Sequence, residues 1–334
     1  MAEPRTPEQR QPERPTERSN ERSNERSNET TLASPRASCT ACAGEGALLV
    51  VRGGRVVAEA CSCTASCLRC SGTGRLYSTD ARGYQVLSGC DCGADPRRLQ
   101  LLSGLRLPVK FLDKTLSNYS PRNPQQMKAL GRASRFVDEL LPGQAGARAL
   151  CFVGPPGTGK THLLAAILRQ LALEKGVRGR YEEFFLLLSD IKDGYSKFTS
   201  TREWLGPLRE VEVLAIDEVG KGGRNREFEQ GILDEIISVR YNAGRPTLLA
   251  TNYPRAGATW RFGAEGEPGE TLEQRVGPRV YSRLHELCDF IEVVGDDFRK
   301  EQHDERERSQ AAGSRGVPSL GPAKGEAAKA ARVR

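Results

Sequence analysis

The segment Gly-Pro-Pro-Gly-Thr-Gly-Lys-Thr at residues 154–161 constrains the fold of this 334-residue chain more than any other feature. It fits the pattern G-x4-G-K-[ST], in which a glycine-rich loop joins a buried strand to the first turn of a helix. The apolar run 149–153 precedes the motif and the amphipathic run 162–173 follows it. The sequence therefore predicts a strand, a loop and a helix that together bind the phosphates of a nucleotide.

Each residue type in this motif has a chemical role in phosphate binding. Glycines let the backbone wrap closely enough for its amides to point at phosphate oxygens, and the helix N-terminus adds partial positive charge. We predict that Lys160 bridges the terminal phosphates of ATP and that the Thr161 hydroxyl ligates Mg²⁺. The predicted nucleotide contacts are Gly154, Pro155, Pro156, Gly157, Thr158, Gly159, Lys160, Thr161 and His162.

The second half of the predicted site lies where two later apolar runs end. The run 213–216 ends in Asp217 and Glu218. We expect Asp217 to hold the magnesium shell and Glu218 to polarise the attacking water. The run 247–250 leads to Asn252 at the edge where parallel sheets bind ligands, within reach of the γ-phosphate or the water. The sequence thus predicts an enzyme that binds and hydrolyses ATP.

Apolar runs alternate with helical patterns from residue 97 onward. The runs 149–153, 184–188, 211–216 and 246–250 are predicted as strands, and two helices are predicted ahead of them at 97–104 and 124–141. Such an alternation predicts an α/β fold with a parallel sheet flanked by helices. We assign residues 97–145 to a linker with helices and residues 146–300 to the ATPase core.

Eight of the ten cysteines lie within residues 37–96, in two copies of one repeat. Each copy has a C-x2-C pair, two glycines, a strand, turn and strand pattern, and a C-x-C pair. Turns of both kinds present two thiolates to a tetrahedral metal ion, so we predict two zinc sites in a small domain of β-hairpins. The predicted zinc ligands are Cys39, Cys42, Cys61, Cys63, Cys67, Cys70, Cys90 and Cys92.

The spacing leaves open which cysteines share a metal ion. Each repeat can close on itself, or the outer pairs 39, 42, 90 and 92 can form one site around the inner pairs 61, 63, 67 and 70, as in the zinc region of DnaJ chaperones. Iron-sulfur binding is the main competing chemistry. Four thiolates leave no position for water, so we expect structural zinc. The remaining thiols, Cys151 and Cys288, are predicted to be buried in the core.

The two ends of the chain have the composition of disordered segments. Residues 1–36 contain three Glu-Arg-Ser-Asn repeats and few apolar residues, and residues 301–334 form a basic tail rich in Ala, Gly and Ser. No apolar stretch reaches the ~18 residues of a membrane span, so we expect a soluble, cytoplasmic protein without a membrane partner. The net charge of +7 is compatible with nucleic-acid binding.

Several motifs in a fixed order make the chain resemble a known family. They are Leu107-Pro108, Phe111, Leu116-x-Asn118-Tyr119, GPPGTGKTHL, LAIDE, Arg240-Tyr241, Pro246 to Asn252, Ser282-Arg283-Leu284 and Gly295-Asp-Asp-Phe-Arg299. This order resembles the AAA+ ATPases of the bacterial helicase-loader group, DnaC-like and DnaI-like, and the related IstB-like proteins. The resemblance covers residues 105–300.

The resemblance implies roles for further basic residues. Arg283 lies where the family has an arginine finger for a neighbouring subunit, with Arg279 as a rival, and Arg299 matches the second sensor of the family. A finger supplied in trans makes hydrolysis depend on homo-oligomer formation upon ATP binding. The segment 189–197, with Lys192 and Lys197, matches a helix that lines a channel for single-stranded DNA.

Three functions follow as hypotheses. The first is a helicase loader in DNA replication, with single-stranded DNA and a replicative helicase as partners and the zinc hairpins as the docking module. The second is an IstB-like transposition or phage helper that assembles on duplex DNA. The third is a chaperone-like zinc module with the ATPase as a switch.

Overall fold

The computed structural model describes residues 39–42, 44–52, 55–140, 148–196, 200–223, 225–256, 269–300 and 307. All of them belong to the second of two units of the chain, Pro35–Arg334. The predicted leader 1–36, nearly all of the predicted tail 301–334 and Lys197 lie outside these residues. Within them, no helix is both long and apolar enough to cross a membrane.

Two β-hairpins and two helices precede the sheet. Strand β1 (Ala47–Arg52) pairs antiparallel with β2 (Arg55–Ala60), and β3 (Arg75–Thr79) pairs antiparallel with β4 (Gln85–Gly89). Both helices begin with proline after a side-chain cap, an arrangement that satisfies the free amides of the first turn. They are α1 (Pro96–Gly104), capped by Asp95, and α2 (Pro124–Glu139), capped by Asn123.

A five-stranded parallel sheet forms the centre of the molecule. Its strands follow the order β6-β7-β8-β5-β9, and their ranges are β5 (Ala149–Val153), β6 (Gly179–Glu183), β7 (Val213–Asp217), β8 (Thr247–Thr251) and β9 (Cys288–Glu292). The helices between them are α3 (Lys160–Gln170), α4 (Phe184–Ser196), α5 (Thr201–Glu210), α6 (Arg226–Asn242), α7 (Leu272–Val276) and α8 (Pro278–Leu287). The predicted α/β fold is confirmed.

Side chains of the central strands alternate between two apolar layers. In β5, Leu150 and Phe152 face the layer that contains α3, whereas Cys151 faces the layer that contains α6. Both faces of the sheet are therefore covered, as expected for parallel strands. Cys151 and Cys288 are 1% and 2% exposed, which confirms that they are core thiols.

The prediction of a strand at 184–188 is wrong. These residues begin α4, and the strand is the preceding, more polar segment β6. In α4 the buried side chains recur with helical spacing at Phe184, Leu187, Leu188 and Ile191, while Phe185 and Leu186 are partly exposed. Because β6 is an edge strand, it is less apolar than a central one. The other edge strand, β9, was not predicted.

The first hairpin shares the core of the sheet domain. Ala47 of β1 is fully buried in the layer that contains α3. The Ala58 amide of β2 donates to the Ser103 hydroxyl of α1 at 2.9 Å. Arg169 of α3 pairs with Glu45, just ahead of β1, and the Arg169 side chain is 7% exposed. The predicted boundary between the cysteine region and the linker remains a prediction.

Candidate functional site

The glycine-rich loop leaves the end of β5 and enters α3. Gly157 and Gly159 have φ angles of +76° and +97°, a region that favours glycine. A Cβ atom on Gly159 would lie 2.7 Å from the ring of Tyr119, and Tyr119 donates to the Thr158 carbonyl at 3.3 Å. The loop is therefore shaped by its own glycines and by a tyrosine from the segment ahead of α2.

Lys160 is the first residue of α3 and is 6% exposed. Its Nζ donates to the carbonyl oxygens of Gly154 at 2.8 Å and Pro155 at 2.6 Å. Burial, with a smaller contribution from the positive charge of Arg299, lowers the pKa of Lys160 to about 8. The structure thus holds the ammonium group inside the loop.

Asp217 ends β7 and lies against the start of α3. Its Oδ2 accepts from the Thr161 hydroxyl at 2.6 Å and from the Tyr181 hydroxyl at 2.9 Å. The structure thereby brings together the two side chains predicted to hold magnesium, a hydroxyl and a carboxylate, which are ligands that Mg²⁺ prefers. Burial and the charge of Asp217 raise the pKa of Tyr181, so the phenol stays a donor.

Two glutamates and a lysine adjoin Asp217. Glu218 has a φ angle of +54°, and its carboxylate pairs with Lys221. Glu183 ends β6 directly opposite Asp217 in the ladder. Burial and the neighbouring Glu218 raise the pKa of Glu183. Sequence reasoning missed both Glu183 and Tyr181 because their strand was assigned to the next segment.

The segment 297–299 packs on the loop. The Phe298 amide donates to the Gly157 carbonyl at 3.3 Å, and the Asp297 carboxylate fills the space beside Gly157 where a Cβ atom would lie. The Arg299 amide donates to the Asp297 carboxylate at 3.0 Å, and the positive charge of Arg299 contributes to lowering the pKa of Lys160. Asn252 follows β8 at the same edge of the sheet and is half-buried.

His162 faces the segment ahead of α2. Its Nε2 lies 2.8 Å from the Thr115 carbonyl oxygen, and its ring meets Tyr119 edge-on at 5.1 Å. Burial lowers the pKa of the imidazole. The structure therefore shows His162 joining α3 to residues 115–119, and the predicted nucleotide contact remains a prediction.

The two candidate finger arginines lie on α8. Arg283 bonds Asp234 and Ser238 of α6, and among the described contacts neither arginine touches the loop of its own chain. Arg279 is 74% exposed, with its Nε 3.6 Å from the carboxylate of Asp234. Lys192 lies on α4, with its Nζ 5.3 Å from the centre of the Phe228 ring.

The cysteines form two clusters, and each cluster closes within its own repeat. In each cluster the four Sγ atoms lie within 4.8 Å of one another. Cross-pair distances are 3.5 to 3.8 Å in the first cluster and 3.4 to 3.8 Å in the second. A tetrahedron with Zn–S bonds of about 2.3 Å has edges of about 3.8 Å, so the geometry fits zinc. The nested arrangement is excluded.

Equivalent backbone amides support the two clusters. The Gly46 amide donates to Cys42 Sγ at 3.2 Å, and the Gly74 amide donates to Cys70 Sγ at 3.3 Å. These are the second glycines of the two repeats, which explains the shared spacing. The backbone amides of Cys42 and Ala41 lower the pKa of Cys39 to about 7, which favours the thiolate that binds metal.

The loop, the helix that follows it and the acidic strand end define a P-loop nucleotide-binding domain. Residues 144–306 match the model of the IstB-like ATP binding protein family. The predicted resemblance is confirmed: residues 144–306 are similar to the IstB-like ATP binding proteins, and part of the chain is similar to the DnaC helicase loaders.

Curated relatives match less than half of the chain. The replicative helicase loader DnaC of Escherichia coli (strain K12) is 33% identical over 142 residues, 41% of this chain and 55% of the relative. DnaC of Buchnera aphidicola subsp. Schizaphis graminum is 31% identical over 157 residues, 46% of this chain and 61% of the relative. The chain thus spans less than two thirds of these relatives. A crystal structure of the DnaC helicase loader, 28% identical, covers 56% of this chain and 99% of that chain with a TM-score of 0.48.

Proposed function

We propose that this protein hydrolyses ATP and uses the cycle to help place a replicative helicase on single-stranded DNA. The observation that carries the proposal is the contact between Thr161 and Asp217 beside the buried Lys160. These groups are a hydroxyl, a carboxylate and an ammonium ion, the set that P-loop ATPases use on Mg²⁺ and terminal phosphates. The named function of the DnaC relatives supports the DNA step.

Each residue of the site takes a defined part in the proposed reaction. The loop amides and Lys160 bind the terminal phosphates, and Thr161 and Asp217 hold Mg²⁺, which neutralises developing charge. Glu218 orients the attacking water and accepts its proton, while Asn252 holds the water or the γ-phosphate. Arg299 lies on the loop side of the site and stabilises phosphate charge in its own subunit.

The arginine finger makes turnover depend on a homo-oligomer. Arg283 is bound to Asp234 on α6 within one chain, so reaching a neighbouring γ-phosphate requires it to exchange one carboxylate for another anion. We propose that ATP-driven assembly supplies that anion. Arg279 is the alternative, because it is exposed and its contact with Asp234 is longer.

The second hairpin suits the role of the docking element. All of β4 and all of β3 except Leu76 are exposed, and Tyr77 and Tyr84 are each 69% exposed. Exposed aromatic residues are enriched at protein interfaces. We propose that zinc holds this hairpin in shape and that its apolar side chains contact the helicase.

ATP turnover in the presence of each DNA form tests the proposal. We expect single-stranded DNA to stimulate hydrolysis, Lys160→Ala to abolish nucleotide binding, and Glu218→Gln to bind ATP without turnover. Arg283→Ala should lower the rate by roughly 1,000-fold, with Arg279→Ala as the matched control. A larger loss of ATP turnover in Arg279→Ala would assign the arginine finger to Arg279 instead. Normal ATP affinity in Lys160→Ala would overturn the nucleotide site.

Proton uptake tests the state of Lys160. Because its pKa is about 8 in the structure and phosphate charge favours the ammonium form, ATP binding near pH 9 should take up a proton. Calorimetry in buffers of different ionisation enthalpy measures this uptake. Lys160→Arg is the control, since a guanidinium stays charged at this pH. Equal uptake by both proteins would contradict the assignment.

The match to the IstB-like family favours a second candidate, a helper ATPase that assembles on duplex DNA. Duplex DNA would then stimulate turnover more than single strands do. Co-purification with a hexameric helicase of the host separates the two functions, because only the loader requires it. Failure to bind any such helicase would contradict the loader.

A further inference from the structure

A cleft of about 380 Å³ lies beside β9. Five cationic side chains line it, with one carboxylate among them: Lys128, Arg132, Arg135, Arg148, Arg255 and Asp289. We call it the edge cleft, because β9 is an edge strand of the described sheet. Arg148 precedes β5 and Asp289 is the second residue of β9. The edge cleft therefore lies towards the N-terminal ends of these strands, whereas the loop follows the C-terminal end of β5.

The single carboxylate does not neutralise the cations around it. Asp289 accepts from Arg132 at 2.8 Å and from Arg148 at 2.5 Å, and Arg132 also pairs with Glu139 at 3.4 Å. Lys128 and Arg135 are exposed on α2, seven residues and so two helical turns apart. In the described structure neither of them pairs with a carboxylate, and the Arg135 Nε reaches only its own helix, at 3.4 Å from the Gly131 carbonyl. Two cations on one helix face thus remain available to an anionic ligand.

Arg255 differs from the other cations of the edge cleft. Its Nε is buried and has no hydrogen-bond partner in the described structure. Its guanidinium lies 4.5 Å from the centre of the Phe290 ring. A buried donor without a partner costs free energy that a ligand oxygen would recover. Arg255 therefore brings to the wall of the cleft a donor that the described structure leaves without an acceptor.

Two further ring side chains extend the surface that begins at Phe290. His285 lies 4.8 Å from Phe290, and Tyr281 lies 4.6 Å from His285. Proteins bind single-stranded nucleic acid by joining cations that contact the backbone to flat groups on which bases stack. An acidic peptide would need only the cations. The combination therefore favours a nucleic acid over a peptide.

We propose that the edge cleft binds single-stranded nucleic acid, with Lys128 and Arg135 on the phosphates and the Arg255, Phe290 and His285 surface against the bases. The inference rests on the proposed action on DNA and adds a contact surface apart from the channel helix that carries Lys192. The strand would pass along β9 while the nucleotide site at the other end of β5 remains free to turn over.

Binding of a fluorescent oligothymidylate to the full chain, followed by anisotropy over a salt series, tests the edge cleft. Lys128→Ala with Arg135→Ala removes two exposed cations without touching the core. Each phosphate contact with a single strand contributes about 0.7 to the slope of log affinity against log salt. We expect the slope to fall by roughly 1.4 and the affinity at low salt to fall with it. Arg97→Ala with Arg202→Ala, two exposed arginines outside the cleft and outside the second hairpin, is the matched control and should leave both values unchanged.

Three results would contradict nucleic-acid binding at the edge cleft. They are an unchanged salt slope in the double variant, an equal loss of affinity in the control variant, or no binding of single strands by the parent protein. Preferred binding of duplex DNA, or equal competition by polyglutamate, would also overturn it. ATP affinity and helicase co-purification are measured on the same proteins. If the parent protein binds no helicase but the double variant still loses affinity for oligothymidylate, the loader proposal is contradicted and the proposal for the edge cleft is supported. If the protein binds helicase but the double variant keeps its affinity for oligothymidylate, only the proposal for the edge cleft is contradicted.

Discussion

The two cysteine hairpins have the same ligand spacing and opposite relations to the rest of the molecule. Ala47 of the first hairpin is fully buried with the core of the sheet domain, whereas every residue of β4 in the second hairpin is exposed. Within the first repeat, Glu45 also forms a largely buried ion pair with Arg169 of α3. The second has an exposed pair from Arg69 to Asp91. One copy of the repeat is therefore a structural part of the ATP-binding domain, and the other presents a surface.

The comparison teaches that a local repeat does not decide its own tertiary role. Backbone geometry at the sulfur ligands is the same in both copies, down to the amide of the second glycine. The two copies differ in what they pack against, because the first hairpin packs on α1 and α3 and the second does not. Variants at equivalent positions therefore measure how far the two copies have diverged in function.

The largest difference should follow from loss of a metal ligand. Cys61 and Cys90 are each 1% exposed and occupy equivalent positions, so Cys61→Ser and Cys90→Ser form a matched pair. We expect Cys61→Ser to destabilise the whole ATP-binding domain by more than about 4 kcal/mol, the range of lost structural metals. Cys90→Ser should release one zinc ion and leave ATP affinity largely intact. Thermal unfolding with zinc analysis measures both, and equal losses of Tm would refute the asymmetry.

The buried ion pair should give the next largest effect. Arg169→Ala leaves the Glu45 carboxylate without its partner, which costs roughly 3 kcal/mol in the free energy of unfolding. Arg69→Ala breaks the exposed pair with Asp91 beside the second cluster and should change little, because solvent screens such charges. Urea unfolding of both variants provides the test. A similar small effect in both would mean that the first hairpin is not part of the core.

A smaller effect should come from the hydrogen bond between β2 and α1. Ser103→Ala removes the hydroxyl that accepts from the Ala58 amide and should cost about 1 kcal/mol. Ser78→Ala in β3 is the control, since its hydroxyl makes only an exposed contact of 3.5 Å with Val86. The same urea series compares them. A larger loss of unfolding free energy for Ser78→Ala would contradict the assignment of the first hairpin, and not the second, to the core.

The smallest effect on stability should accompany the largest effect on binding. Tyr77→Ser with Tyr84→Ser alters exposed rings and should change the free energy of unfolding by no more than about 0.5 kcal/mol. If the second hairpin is the docking element, helicase co-purification should nevertheless be lost. Val51→Ser, at an exposed position of the first hairpin, should retain it. Retention by the double variant would remove the docking role from this hairpin.

Local patterns predicted the parts of the site that lie within one element. The strand, loop and helix around Lys160 and the acidic end of β7 follow from short motifs, because a phosphate cradle needs glycine at positive φ and a helix start beside it. The edge strands of the sheet were harder to predict from the sequence. Apolar content selected 184–188 as a strand, but its buried residues recur at helical spacing, and the polar β6 beside it is the strand. Tyr181 and Glu183 were missed with it.

By itself the sequence determined the glycine-rich loop, the α/β alternation and the two sets of four cysteines, since each depends on residues close together in the chain. Only the tertiary structure decided that each cysteine cluster closes within its repeat, that one hairpin joins the core, and that Glu183 meets Glu218. It also gathered Lys128 of α2, His285 of α8 and Arg255 into one cleft. These juxtapositions depend on which surfaces pack together, and packing free energy is summed over contacts between residues far apart in sequence.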